Sequence, residues 1–298
     1  MSSIVNVLIS TYNGEKYIKE QIDSILNQSY TNIEIYVRDD GSTDDTITIL
    51  KEYEKSKKIH ILESGINLGY GKSFLTLLEK IDNGDYWAFA DQDDIWLPDK
   101  IKIGVEWLDN QNPNDPCLFY STYYNTDENL NITEQVHLPQ YKYNFIRSIT
   151  ECVHLGFSQM FNRSLRSLIL MCNKQNLVTH DWWVELVSMK FAKVYCTDEP
   201  LTYHRRLQNS VSSHIFANRF GWLKKAWKGN SEIRSCTKEF ERVFGSNNDD
   251  KDYKINRWFC FDRYDFLKSM KKAFYWHRWR PSLSSEIVIR GLMLFGKI

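Results

Sequence analysis

Three carboxylates within four positions, Asp91, Asp93 and Asp94, end the apolar run Tyr86 to Ala90 in the stretch FADQDDIW. Like charges this close raise one another's pKa unless a cation or a basic group sits among them. The cluster therefore either lies on a solvated loop or holds something positive. Hard Mg2+ or Mn2+ takes one or two such carboxylates together with the phosphates of a substrate. A second acidic turn, RDDGSTDDT at 38–46, carries Asp39 and Asp40, which either bind a ligand or cap the turn. A third loop, GINLGYGKS at 65–73, carries Lys72, suited to phosphate or to solvent.

Alternating periodicities say which elements must position these groups. Val5 to Ile9, Ile33 to Val37, Ile59 to Leu62 and Tyr86 to Ala90 read as strands. Between them Tyr17 to Asn27, the run from Ile47 to Tyr53, and Phe74 to Ile81 carry apolar residues at helical spacing. Four β-α units in this order predict an α/β fold, a mostly parallel central sheet with helices on both faces. Ligands bind such sheets at the C-terminal ends of the strands. STYNGE, RDDGST, GINLGYGKS and DQDD are therefore expected along one edge. Cys117 to Thr122 is a further strand candidate in an otherwise polar, turn-rich stretch.

The 298 residues suit one large domain or one with an appendage, and 42% hydrophobic with 14% aromatic content excludes a mainly disordered chain. Six cysteines without a CxxC pair or zinc spacing fit buried thiols in a reducing cytoplasm. The first residues lack the pattern of a signal peptide, and no apolar run is long enough to span a bilayer. The net charge of zero hides an asymmetry: residues 215–298 hold 18 Lys and Arg against 9 Asp and Glu. We divide the chain into an α/β region, 1–214, with halves 1–109 and 110–214, and a basic aromatic helical region, 215–298.

Two sequence patterns compete for the glycine loop. GYGKS before a helix is similar to the end of a P-loop, which would make the chain a kinase or NTPase. That motif needs Gly at position 66, where this chain has Ile66, with Gly65 one place early. The alternative takes in all the loops: STYNGEKYIKEQIDSILNQSY, RDDGSTDDT, NLGYGKSF and ADQDDIWLPDK, in this order, resemble the family 2 glycosyltransferases of GT-A fold over residues 4–210. DQDDIW with NLGYGKSF is most similar to the bacterial rhamnosyltransferase-like branch that builds cell-wall and capsular polysaccharides.

The resemblance implies an inverting transfer from a nucleotide-sugar donor, with rhamnose from dTDP-β-L-rhamnose the leading reading and a UDP-hexose the alternative. It implies a glycan or undecaprenyl-diphosphate-linked acceptor and Mn2+ or Mg2+. Asp93 aligns with the metal ligand, Asp91 with the ribose or a metal-bound water, and Asp94 with the donor sugar. Asp40, with Asp39 beside it, maps to the base or ribose contact, and Ser10 and Tyr12 to the walls of the base. HDWW at 180–183 places Asp181 where the family carries its general base. Trp182 and Trp183 beside it either stack on sugar or belong to the core. Gly156, Phe157 and Ser158 map to the acceptor pocket. Where the family often has a diphosphate-site histidine the chain has Arg206, able to pair with the diphosphate directly. His204, two residues earlier, is the remaining third-ligand candidate.

KSMKKAFYWHRWR at 268–280 has five basic residues interleaved with aromatics and no acid. No nucleic-acid module accompanies it. It reads either as an interfacial helix on anionic lipid, placing the enzyme peripherally on the cytoplasmic face of the plasma membrane, or as a helix packed on the catalytic region or a homodimer partner.

Overall fold

The computed structural model describes residues 2–62, 66–137, 143–207, 232–246, 250–261, 263–280 and 282–298. Gly65 and residues 215–231 of the basic segment lie outside them. The chain divides into two compact units: Met1–Leu138, His154–Leu170 and Phe191–Arg206 form the first, and Pro139–Val153, Met171–Lys190 and Leu207–Ile298 the second.

The first unit holds a single sheet. Its strands are β1 (Val5–Thr11), β2 (Ile33–Asp39), β3 (His60–Leu62), β4 (Tyr86–Ala90), β5 (Ile95–Trp96), β6 (Cys117–Thr126), β7 (Ile132–Val136), β8 (Gln159–Asn162) and β9 (Lys193–Arg205). Helices α1 (Ile18–Leu26), α2 (Thr46–Lys55), α3 (Tyr70–Lys80) and α4 (Lys100–Asp109) connect the early strands. The spatial order is β3-β2-β1-β4-β8-β6-β9-β5, with β7 beside β6. From β3 to β4 every pairing is parallel. All five residues of β4 are buried, as expected of a parallel strand covered on both faces. Val7, Ile9, Val37, Ala88 and Ala90 sit in one core with Ile22 and Leu50 from α1 and α2.

Register explains why the loops meet. Ile9 of β1 lies opposite Val37 of β2 and Ala90 of β4, so the chain leaves all three strands at one edge. Beyond β4 the sheet is mixed. β8 runs antiparallel to β4 and β6, while β9 runs parallel to β6. The two-residue β5 folds back against the end of β9, pairing Ile95 with Tyr203 and Trp96 with Thr202. That pairing carries His204 and Arg205 to the DQDD turn.

Helix α3 begins at Tyr70, four residues before the apolar periodicity that predicts it. Gly69 precedes it at φ 80, a left-handed conformation that suits glycine, so Gly71, Lys72 and Ser73 belong to the first helical turn.

The second unit is helical. It contains α5 (Phe145–Ser148), α7 (His180–Phe191) up to Lys190, and the helices Glu232–Phe244, Lys251–Phe259, Phe266–Ala273 and Leu283–Leu294. The label α6 belongs to Arg163–Ile169 of the first unit. Its core is aromatic: Phe145 packs on Phe240 at 4.9 Å, Phe240 on Tyr253 at 5.6 Å, and Phe259 on Trp279 at 5.3 Å. Lys190 joins Asp250 and Asp252 at 2.7 and 2.8 Å. No disulfide joins the six cysteines, and no described helix is long and apolar enough to cross a membrane.

Candidate active site

The loop after β1 is stapled to its neighbours by side chains. The Asn13 N–H donates to Ser42 Oγ at 2.9 Å, and Asn13 Oδ1 accepts from the Thr43 N–H at 2.8 Å. Gln92 braces the same loop from the turn after β4, accepting from the Tyr12 N–H at 2.8 Å and donating to the Tyr12 carbonyl at 3.1 Å. These bonds fix the backbone and leave the Tyr12 ring half exposed.

Asp39 and Asp40 are both buried. Asp39 accepts from Thr11 Oγ1 at 2.8 Å, the Gly41 N–H at 3.0 Å, the Ser42 N–H at 2.8 Å, and Ser42 Oγ. A carboxylate offers about four acceptor sites, so Asp39, expected beside the nucleotide, has its acceptor capacity taken up within the turn. Asp40 pairs with Arg38 and accepts from the amides of Leu68 and Gly69, each at 2.8 Å, which leaves it one further acceptor site. Arg38 also donates to Ser73 Oγ and to the Ile66 carbonyl, both at 2.9 Å, and Ser10 reaches Ser73 at 2.6 Å. The P-loop alternative fails on this geometry. The Leu68 and Gly69 amides ahead of α3 already donate to a protein carboxylate. Lys72 stands half-buried on the first turn of α3.

In the DQDD turn the three acids part company. Asp94 is fully buried; its Oδ1 meets His204 Nδ1 at 2.9 Å and the Arg205 N–H at 3.3 Å. Arg205 Nη1 donates to the Asp93 carbonyl at 3.2 Å, and its guanidinium pairs with Glu20 and lies 4.8 Å from the Tyr17 ring centroid. Burial, and then the neighbouring Asp94 charge, push the Asp93 carboxyl up to about 6, while His204 and Arg205 pull against them. Asp91 and Asp93 are half-buried. The Lys100 ammonium, pushed down to about 7 by burial, bonds the Phe157 carbonyl at 2.7 Å and Thr202 Oγ1 at 2.6 Å.

These residues fit a divalent cation. Asp94 Oδ2 and His204 Nε2 are buried without a hydrogen-bond partner, and Asp93 carries a carboxyl that a positive charge would ionise. Among the described residues no group of three or more His, Cys, Asp and Glu side chains is placed to hold a metal. The chain would therefore supply only part of a coordination shell, leaving phosphate and water to complete it.

Of the acceptor-side candidates, Gly156 and Phe157 form a buried 3-10 turn that ends at Ser158. The Phe157 ring stacks on His204 at 4.4 Å, so it supports the imidazole. Asp181, Trp182 and Trp183 belong to the second unit. Asp181 is the second residue of α7, half-buried, and its Oδ1 accepts from the Trp182 N–H at 2.9 Å. Burial pushes its carboxyl up to about 6, with the Glu185 and Glu232 charges adding to the rise. Glu185, one turn along α7, is fully buried and accepts from Tyr143 Oη and from the Val153 N–H at 2.8 Å. His180, pushed down to about 3 by burial, is neutral near pH 7. Trp182 donates its indole N–H to the Ser148 carbonyl at 2.7 Å. Trp183, read as part of an acceptor wall, is 0% exposed and stacks on Phe244 at 6.2 Å: it is core.

Arg206, half-buried, follows β9 with its N–H on the Thr126 carbonyl. Arg205 is the residue that sequence reasoning passed over. It sits between two residues that a motif had singled out, and only the β5–β9 pairing shows it against Asp93.

The comparisons with known proteins agree with this architecture. Residues 6–169 match the family model for glycosyl transferase family 2. The chain belongs to that family. This glycosyltransferase is 30% identical over 235 residues to the dTDP-rhamnosyl transferase RfbG of Shigella flexneri, covering 74% of this chain and 80% of the relative. It is 30% identical over 233 residues to the teichuronic acid biosynthesis glycosyltransferase candidate TuaG of Bacillus subtilis, covering 75% and 86%. Its fold is that of the GT-A enzymes. It superposes on the mannosyltransferase PcManGT of Pyrobaculum calidifontis, solved with GDP-Man and Mn2+, at a TM-score of 0.58 and 17% identity, covering 85% and 68%.

Proposed function

We propose that this glycosyltransferase moves rhamnose, with inversion, from dTDP-β-L-rhamnose to a glycan or undecaprenyl-diphosphate-linked acceptor in the synthesis of a bacterial surface polysaccharide. The observation that carries a nucleotide-sugar reading is the meeting, at the C-terminal edge of the parallel strands, of the Gln92-braced Tyr12 loop with Asp93, Asp94, His204 and Arg205. The likeness to RfbG supports the sugar, the likeness to TuaG supports the class of product, and the Mn2+ complex of PcManGT supports a metal.

In this reading Ser10 and Tyr12 wall the base, and Asp40 spends its remaining acceptor site on the base or ribose. Asp93, with Asp91, would hold Mn2+ or Mg2+, which supplies positive charge for the leaving diphosphate. Arg206 and Lys72 add cationic donors to the same phosphates. Asp94 and His204 keep the turn in shape through their mutual bond, and His204, whose Nε2 is left without a partner, would be the third protein ligand. Asp181 takes the proton of the acceptor hydroxyl, whose oxygen attacks the anomeric carbon in line. A β-configured donor then gives an α-rhamnoside.

Thermal-shift measurements with dTDP-, UDP- and GDP-sugars, each with and without Mn2+, test the donor. The largest rise is expected with dTDP-rhamnose plus Mn2+. A larger rise with UDP-glucose would overturn the sugar. Stabilisation by ATP and by no nucleotide sugar would overturn the whole reading.

A further inference from the structure

The helix Leu283–Leu294 is apolar on two faces. Ile289, Leu292 and Met293 are buried, while Leu283 and Ile287, one turn apart, are each 70% exposed. Its only charges, Glu286 and Arg290, bond each other at 2.6 Å. They are also occupied locally, Glu286 by the Arg280 N–H at 2.7 Å and Arg290 by the carbonyls of Ala273 and His277. The exposed Leu283 and Ile287 share their face of the helix with Ser284 alone among exposed residues of the helix. The neighbouring helix Phe266–Ala273 and the turn after it add Phe266, Leu267, Phe274 at 69% and Trp276 at 74% exposure.

Among the described residues of segment 263–298 the exposed charges have one sign. From Arg263 to Ile298 the chain has eight Lys and Arg against two acids. Both acids are used internally, since Asp265 caps its helix by accepting from the Lys268 N–H at 3.0 Å and Glu286 is paired as above. Arg263, Lys271 and Arg278 are exposed. A second copy of the chain packed symmetrically on this face would set the same cations against themselves. Among the described residues of this segment, exposed aromatics with basic residues and no exposed acid fit the headgroup layer of an anionic bilayer.

We infer that the outer faces of the helices Phe266–Ala273 and Leu283–Leu294, with Trp276, form a docking surface for an anionic lipid bilayer. This deepens the reading of a lipid-borne acceptor and rests on it for its purpose, while vesicle binding itself needs no sugar transfer. Flotation of the full chain with phosphatidylcholine vesicles, with and without phosphatidylglycerol, is the test. Binding is expected only with phosphatidylglycerol, and high salt should weaken it. Lys271→Glu with Arg278→Glu should weaken it by at least about 25-fold, since losing each basic residue costs about fivefold and the new acids are repelled as well. Trp276→Ser with Ile287→Ser should also detach the protein. All these side chains are exposed, so melting and the thermal shift with nucleotide sugar should stay as in the parent, and those readouts report on the transferase reading independently. Failure of the parent to float, equal flotation on neutral vesicles, undiminished flotation of both variants, or a solution dimer that the variants dissociate would each overturn the inference.

Discussion

Replacing Asp181 by Asn tests the base assignment and the local electrostatics together. The carboxyl is raised from its ordinary 3.8 to about 6, chiefly by burial. Its ionised form is therefore penalised in the folded state. Stability falls as pH rises from about 4 to about 6, and the full cost stands above that. A rise of that size is worth about 3 kcal/mol; because the group is only half-buried, about 1–3 kcal/mol is the better expectation. Asn keeps an oxygen for the Trp182 N–H, so the change removes the charge and leaves the 2.9 Å bond. The variant should melt several degrees higher at pH 7.5, at about 2–4 °C per kcal/mol, and the gap should close toward pH 4.5. Transfer should fall by about a hundredfold or more, and that of the parent should decline below pH 6. Melting curves over this pH range and a single-turnover transfer assay read both effects. A variant no more stable than the parent at pH 7.5, a pH-independent gap, or retained transfer would refute the reasoning.

Two further substitutions address the first unit. Asp39→Ala strips the acceptor from Thr11, Gly41 and Ser42, and should cost about 2–4 kcal/mol in urea unfolding, since buried donors are left unmet; a loss below about 1 kcal/mol would show that the staple is dispensable. Asp93→Asn should abolish transfer and the Mn2+-dependent part of the nucleotide-sugar thermal shift while raising the unliganded melting temperature above pH 6, since it removes a charge that burial and Asp94 penalise, and a metal-dependent shift that persists would remove Asp93 from the metal.

Much of the architecture was legible because local patterns sufficed for it. The strands β1, β2 and β4 are apolar runs closed by turn residues, and β4 spans Tyr86–Ala90 as its composition predicts. The start of α3 was misplaced because the apolar period begins at Phe74, whereas the helix is set by Gly69 and by the grip of Asp40 on the amides ahead of it. Trp183 was ambiguous for a related reason: a tryptophan beside an aspartate reads as sugar wall or as core until its packing on Phe244 is seen. The basic aromatic segment likewise divides, with Trp279 fully buried and Trp276 exposed, although both stand among basic residues.

What the amino-acid sequence determined by itself was the set of chemical groups and the edge on which they gather, because parallel strands of matched register must deliver their following loops together. What only the tertiary structure decided was how those groups divide their work. Asp39 is consumed by Thr11 and its own turn; Asp94 is tied to His204 because β5 folds back on the end of β9 and brings residues 110 and more positions apart into one hydrogen-bonded turn; and Asp93 is left with a pKa raised by burial and by the Asp94 charge. Carboxylates alike in a motif become unlike once each has different neighbours, and those neighbours come from strands that no local pattern connects.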